Sequence, residues 1–433
     1  MITVAEVRLW GRTVGAVSFD DQEGAAAFEY EDAFSRSGIE VSPLMMPLSR
    51  RIYRFPALPR QTFHGLPGLL ADSLPDRFGN ALIDAWLARQ GRVPGSFNPV
   101  ERLCYTGKRG MGALEYIPAL GPDAPASVGL ELDRLVDLAS QVLSQRNDFQ
   151  TNLLDDLDGA ALKQILQVGT SAGGARAKAV IAWHPATGEV RSGQVKAPEG
   201  FEYWLLKFDG VSSNRDKELD DPKGYGAVEY AYHLMAVSAG IDMSVCRLLE
   251  ENGRRHFMTR RFDRTPEGQK LHMQSLGALV HADYNSAGAY SYEQAFGILR
   301  ELDLGLDSVE RLYRRMAFNI LARNQDDHVK NIAFLMDQQG RWRLAPAFDL
   351  TWSYQPQGLW TATHQMTLNG RRDAFVLDDF KDAARGAGMK RGRAGRILGE
   401  VSAAITRWPE FAEAAAVPAA QISGIQKTFR TIG

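Results

Sequence analysis

The 433-residue chain reads as an α+β protein of two or three packing units, strand-rich in its first half and helical in its second. Three observations point there. Apolar and polar residues alternate from the N-terminus onward, the two-residue period of a half-buried strand. A glycine-rich stretch at 169–174 leads into further apolar runs of strand length. After about residue 265 the apolar spacing is that of helices nearly to the end. The length exceeds the ~100–200 residues of a single core, which sets the number of units.

"VAEVRLWGRTVGAVSFD" predicts a hairpin around Gly11-Arg12, and "AAAFEYEDAF" after "DQEG" adds a strand. "HGLPGLLADSLPDRFGNALIDAWLARQG" (64–91) predicts two short helices broken at Pro75, the second with Leu82, Trp86 and Leu87 on one face. "IPALGPDAPAS" (117–127), rich in Pro, Gly and Ala, marks a boundary, and the units are expected at 1–125, 126–259 and 260–433. Leu135, Leu138, Val142 and Leu143, then Leu162, Ile165 and Leu166, have helical spacing. "KAVIAW" (178–183) and "EYWLLKFDG" (202–210) predict strands. "GAVEYAYHLMAVSAG" (226–240) predicts a helix with Val228, Tyr232, Met235 and Ala239 inward and Gly240 as its stop. "RRHFMTRRFDR" returns to strand.

Hydrophobic residues at 45% and charged residues at 24% are those of a chain that folds throughout. Lys plus Arg total 50 against 52 Asp plus Glu, so the net charge of -2 gives no global attraction to nucleic acid or anionic membrane. A basic site must be local. Cys104 and Cys246 are too few for a disulfide framework or a cysteine-based zinc site. The N-terminus lacks the layout of a signal peptide, and no stretch of ~18 apolar residues is present. The expectation is a cytoplasmic, soluble protein with no membrane partner.

Four features carry chemistry, in order along the chain. "GTSAGGARAK" places Gly169, Gly173 and Gly174 where backbone N–H groups can approach phosphate oxygens, with Lys178 leaving into a strand. Lys207 is the polar member of the apolar strand "YWLLKFD". A kinase-type fold uses such a lysine on the α- and β-phosphates of ATP, held by a helical acid, and Glu229 on the next helix is the candidate. In "NQDDHVKN" (324–331), Asp326 precedes Asn331 by five residues, the interval between the catalytic Asp and the metal-binding Asn of protein kinases. The run before it puts Leu312, Met316 and Ile320 on one buried helical face, a rigid seat for the loop. Finally, Asp349 stands alone in the apolar "LAPAFDLTW", where a carboxylate needs a partner such as magnesium. Asp326 is then the base for an attacking hydroxyl, Asn331 and Asp349 the metal ligands, and phosphoryl transfer from ATP the leading reading. Asp349 lacks the glycine of the kinase "DFG", the mark of a remote relative.

"LLADSLPDRFGN", "SAGGARAKA", "LLKFD", "RRFDR", "MQSLGAL", "NQDDHVKN", "APAFDLT" and "HQMTLNGRRD" together resemble the HipA family, serine/threonine kinase toxins of bacterial type II toxin–antitoxin modules, over nearly the whole chain. The resemblance implies a protein-kinase-like, bilobal fold with a β-rich N-terminal subdomain and an all-α C-terminal lobe. It implies a phosphate loop at Gly173, Gly174, Ala175, Arg176, Ala177 and Lys178, and the β-strand lysine Lys207, catalytic together with Asp326. An adenine-side linker falls at Arg260, Arg261 and Phe262, and further nucleotide contacts at His328, Val329, Lys330, Asn331, Phe348 and Asp349. It implies ATP and Mg2+ as cofactors and inactivating autophosphorylation at Ser171. Arg176-Ala177 departs from the Gln-Glu pair of the best-known member. A HipB-like helix-turn-helix antitoxin, operator DNA reached through that complex, and an aminoacyl-tRNA synthetase target such as glutamyl-tRNA synthetase are implied partners.

Two other readings stay open. One is a small-molecule or lipid kinase. The other is a kinase-shaped co-repressor in which Lys390, Arg391, Arg393 and Arg396 of "GMKRGRAGR" are candidate DNA contacts beside an antitoxin.

Overall fold

The computed structural model describes residues 2–89, 91–93, 96–120, 129–130, 132–145, 165–166, 168–169, 176–194, 196–211 and 223–432. Ser171, Gly173, Gly174 and Ala175, and Leu162 of the expected helical run, lie outside the described residues.

Strands β1 (Val4–Leu9), β2 (Arg12–Asp20), β3 (Ala25–Tyr30), β4 (Tyr53–Arg54) and β5 (Leu114–Ile117) form an antiparallel sheet in the order β4-β3-β2-β1-β5. The first hairpin turns on Trp10-Gly11, one residue earlier than the sequence suggests. Leu9 pairs with Arg12, and both turn residues have positive φ, 49° and 78°, as a type I′ turn requires. The helix Arg77–Arg89 begins just after Pro75, with Leu82 and Leu87 buried. Its apolar face does not stay with the first sheet: Phe78, Leu82 and Leu87 join the core that covers the second one.

That second sheet comprises β6 (Lys178–Trp183), β7 (Val190–Ser192), β8 (Glu202–Lys207), β9 (Cys246–Glu251) and β10 (Arg254–Arg260) in the order β7-β6-β8-β10-β9. All six residues of β6 are buried, so this strand is covered on both faces. Lys178 and Lys207 are register partners across β6 and β8, which sets two lysines side by side at one end of the sheet. β9 was not foreseen. Its hairpin with β10 turns on Asn252-Gly253, at φ 45° and 73°, a strong hairpin dipeptide in plain view. The helix Tyr225–Ser238 buries Val228, Tyr232 and Met235 as expected. It stops where Gly240 adopts φ 76° and donates to Val237 O, with Ile241 donating to Ala236 O.

The C-terminal part is helical, built on Tyr292–Glu301, Gly305–Leu321, Leu377–Gly386 and Arg393–Thr406 around one large core. It is not all-α: β11 (His272–Ser275), β12 (Ala333–Met336) and β13 (Trp342–Leu344) make a third antiparallel sheet. These strands have three or four residues each, and β12 is buried throughout. A short continuous apolar run has no period with which to declare itself a strand.

The β-rich N-terminal unit is fastened onto this small sheet. The Asp72 carboxylate accepts from Ser275 N at 2.6 Å and Ser275 Oγ at 2.9 Å. Gly68 N donates to His281 Nε2 at 2.9 Å, and Trp10 Nε1 donates to Lys270 O at 2.7 Å. Met336 of β12 inserts into the N-terminal core. Among the described residues no helix is long and apolar enough to cross a membrane.

Candidate active site

The helix Gly305–Leu321 has Leu312, Met316 and Ile320 fully buried, and its exit is fixed within two residues. Arg323 adopts φ 56°, ends the helical path and is held by its guanidinium on Thr428 O at 2.6 Å. The loop 324–331 therefore leaves a rigid base. Its second carboxylate, Asp327, is the anchor: Oδ2 accepts from the Tyr292 hydroxyl at 2.7 Å and from His364 Nδ1 at 2.9 Å, and Oδ1 accepts from Gln365 N at 2.8 Å. Burial opposes its charge, yet His364 and these donors hold its carboxyl below the usual carboxylate range.

Asp326, one residue earlier, faces the other way. Its side chain is 42% exposed; Oδ1 accepts from Trp360 Nε1 at 2.7 Å and lies 3.7 Å from His328 Nε2. Asn331 donates its amide to Asp326 O at 2.9 Å, which leaves the amide oxygen as its open valence. Asn331, Asp349, Asn324, Asp327, His328 and Arg315 line one cavity of about 20 Å³, room for a water-sized particle.

Across the cleft, Lys207 is 5% exposed and donates to Glu229 Oε1 and, at 2.5 Å, to Asp349 Oδ1. Burial works against the ammonium, but Asp349 and Glu229 more than offset it and raise its pKa. Asp349 is the mirror case: burial pushes its carboxyl up, and Lys207 and then Lys178 pull it down to about 2. Asp349 also adopts φ 52°, a conformation that costs a non-glycine residue about 1–2 kcal/mol.

The expected residues that lie among the described ones have these places. Arg176 donates to Glu229 Oε2 at 2.6 Å and lies over the Tyr225 ring, so Glu229 receives two cations. Ala177 is buried and its carbonyl accepts from Phe208 N. Lys178 is buried 3.5 Å from Asp76, and burial lowers its pKa. The Phe262 and Phe348 rings meet at 5.5 Å. Lys330 sits over Tyr284 at 4.9 Å, with His328 beside the same ring.

Three placements narrow how the expected residues could meet a ligand. Arg261 turns its guanidinium into a buried pair with Asp263, 2.7 Å away, so only the backbone of this linker residue can meet a nucleotide. Val329 is 3% exposed and packs into the helical core, leaving likewise only its backbone. In the basic run, Arg393 pairs with Glu310 at 2.8 Å, while Lys390, Arg391 and Arg396 remain exposed at the start of the helix Arg393–Thr406. Arg260 is half-buried beside Glu202 at 3.7 Å.

Sequence reading missed Asp76, Asp327, Tyr292, Trp360, His364 and Gln365. "LPDRFGN" and "HQMTLNGRRD" carried the signal as motifs without an assigned task.

The donor set suits Mg2+: a carboxylate from Asp349 and an amide oxygen from Asn331 meet at one cavity, and a hard octahedral cation takes its other ligands from water and phosphate. Residues 5–117 match the HipA N-terminal domain and residues 170–408 the HipA-like C-terminal domain. The chain is 27% identical over 188 residues to "Putative kinase Y4mE" of Sinorhizobium fredii, covering 40% of this chain and 44% of that one. It is 32% identical over 101 residues to a "Putative kinase" of Haemophilus influenzae, covering 22% of this chain and 29% of the other. The matched stretches thus span less than half the length of either relative. In fold, it is similar to HipA of Shewanella oneidensis, solved with HipB and its operator DNA, at a TM-score of 0.63 and 14% identity over 98% of this chain and 95% of that one. With both family domains matched in order and the kinase-like arrangement recovered across almost the whole length, the chain belongs to the HipA family.

Proposed function

We propose that the chain is an ATP-dependent serine/threonine protein kinase and the toxin of a HipBA-like toxin–antitoxin pair in the cytoplasm. One observation carries the reading: Lys207 bridges Glu229 and Asp349, opposite a loop that presents Asp326 and Asn331. Lys207 neutralises phosphate charge, Asp326 orients and deprotonates the acceptor hydroxyl, and the helix behind the loop gives Asp326 a rigid seat. Asn331 and Asp349 would hold Mg2+, which supplies electrostatic stabilisation of the transferring phosphoryl group.

The finer parts of the proposal rest on family resemblance. They are a HipB-like antitoxin and its operator as partners, an aminoacyl-tRNA synthetase such as glutamyl-tRNA synthetase as target, and inactivating autophosphorylation at Ser171. The full chain should be incubated with γ-labelled ATP, magnesium and bacterial lysate, and the labelled peptides mapped. Label is expected on a serine or threonine of a synthetase and on Ser171 of the chain itself. Label confined to small metabolites or lipids contradicts the protein-kinase reading, and self-labelling only at other residues removes Ser171.

A co-repressor role has its own support in the exposed cations Lys390, Arg391 and Arg396. Replacing these three with Ala should flatten the salt dependence of operator binding by the toxin–antitoxin complex, about one slope unit per lost phosphate contact. An unchanged slope makes them solvated surface.

A further inference from the structure

We propose that Trp360 is a positioning residue for Asp326, holding the carboxylate by its indole N–H so that Oδ1 is committed and Oδ2 is presented to the acceptor hydroxyl. This rests on the phosphoryl-transfer reading above, and it deepens that reading.

Asp326 has a problem that its neighbour Asp327 does not. With its side chain 42% exposed, packing restrains it less than the buried Asp327, whereas in-line transfer tolerates little displacement of the base. The indole supplies the restraint. Trp360 Nε1 donates to Asp326 Oδ1 at 2.7 Å, within range for a hydrogen bond to a charged acceptor. His328, 3.7 Å from the same oxygen, has its ring 6.5 Å from that of Trp360 and closes the other side.

The indole is itself fixed from behind. Trp360 O accepts from Gln365 Nε2 at 2.6 Å, and the same amide donates to Gln325 O at 3.3 Å. Gln365 N donates to Asp327 Oδ1 at 2.8 Å. The segment 360–365 therefore clasps both consecutive carboxylates of the loop, Asp326 by a side chain and Asp327 by a backbone amide. A tryptophan with one donor aimed at the base is a use of indole chemistry that phenylalanine cannot reproduce.

The test uses the full chain and Trp360→Phe, which keeps an aromatic ring and removes the donor, with Trp360→His as the variant that restores a ring N–H. Transfer of label from γ-labelled Mg·ATP into the chain itself and into casein gives kcat and the KM for ATP. Trp360→Phe is expected to lower kcat about tenfold with the KM for ATP unchanged, and Trp360→His to recover part of the loss. A second readout is independent of turnover. The indole ¹⁵N–H resonance that disappears in Trp360→Phe should shift in Asp326→Asn, measured in protein whose thermal unfolding matches wild type. An unshifted resonance, or a Trp360→Phe enzyme with wild-type kcat, overturns the inference and leaves the kinase reading intact. A wild-type chain that transfers no label overturns both.

Discussion

Lys207 shows what a single residue decides here. Its ammonium is the shared partner of Glu229 and Asp349, so its removal leaves Asp349 without its nearest cation and the buried Glu229 with Arg176 alone. Lys207→Met should abolish transfer and also destabilise the fold by about 3 kcal/mol, because a broken buried pair leaves its partner's charge uncompensated. Urea unfolding of the variant checks this; wild-type stability would mean that the bridge is absent in solution. Lys207, Asp326, Asn331 and Asp349 could be singled out from spacing and apolar context, and the fold brings them to one cleft. Trp360 and His364 could not be, since the carboxylates they serve lie 34 and 37 positions earlier and nothing local links them.

At the scale of elements, the loop 324–331 works because two others hold it. The helix Gly305–Leu321 gives it a rigid start, and the segment 360–365 grips its middle. The helix was readable from its Leu312, Met316 and Ile320 stripe. The grip was not, being a tertiary contact of an irregular segment. Asp327→Asn keeps the shape but removes the charge from the His364, Tyr292 and Gln365 cluster. Transfer should fall about 10²-fold and stability by about 2 kcal/mol, read by single-turnover kinetics and thermal unfolding. A variant with wild-type values of both would show that Asp327 is not the anchor. The missed elements have separate causes. β9 was overlooked beside a visible Asn252-Gly253 turn, whereas β11, β12 and β13 are too short to display a period.

For the whole molecule, burial of histidine sets the response to acid. His233, His256, His272 and His281 are each lowered to about 4, chiefly by burial, from an ordinary 6.5. The unfolded chain therefore binds protons between about 6.5 and 4 that the folded chain refuses. Stability from this source is full above pH 6.5 and declines as the pH falls toward 4, by roughly 1.4 kcal/mol per pH unit for each group. His272 and His281 stand where the N-terminal unit meets the small C-terminal sheet, His272 on Val41 O and His281 on Gly68 N, so this junction should loosen first. The urea midpoint should be lower at pH 5 than at pH 7.5, and hydrogen exchange at pH 5 should rise earliest around residues 66–72 and 272–281. An equal or higher midpoint at pH 5 contradicts this account. The β-rich start and helical end of the molecule were visible in its apolar periods. The way the helix Arg77–Arg89 crosses from one sheet to the core of the next was not, because a single amphipathic face does not say which partner it will meet.

The proposed phosphoryl transfer needs Asp326 as the base and Asp349 as a magnesium ligand. It is tested most directly by the single-turnover rate of label transfer from γ-labelled Mg·ATP by wild type, Asp326→Asn and Asp349→Ala, each shown by its thermal unfolding to be folded. Wild type is expected to transfer label measurably, and each variant to lose about 10²–10³-fold or more, the scale of losing a preorganised charge at the reacting centre. Folded variants that transfer phosphate at rates near wild type would contradict it.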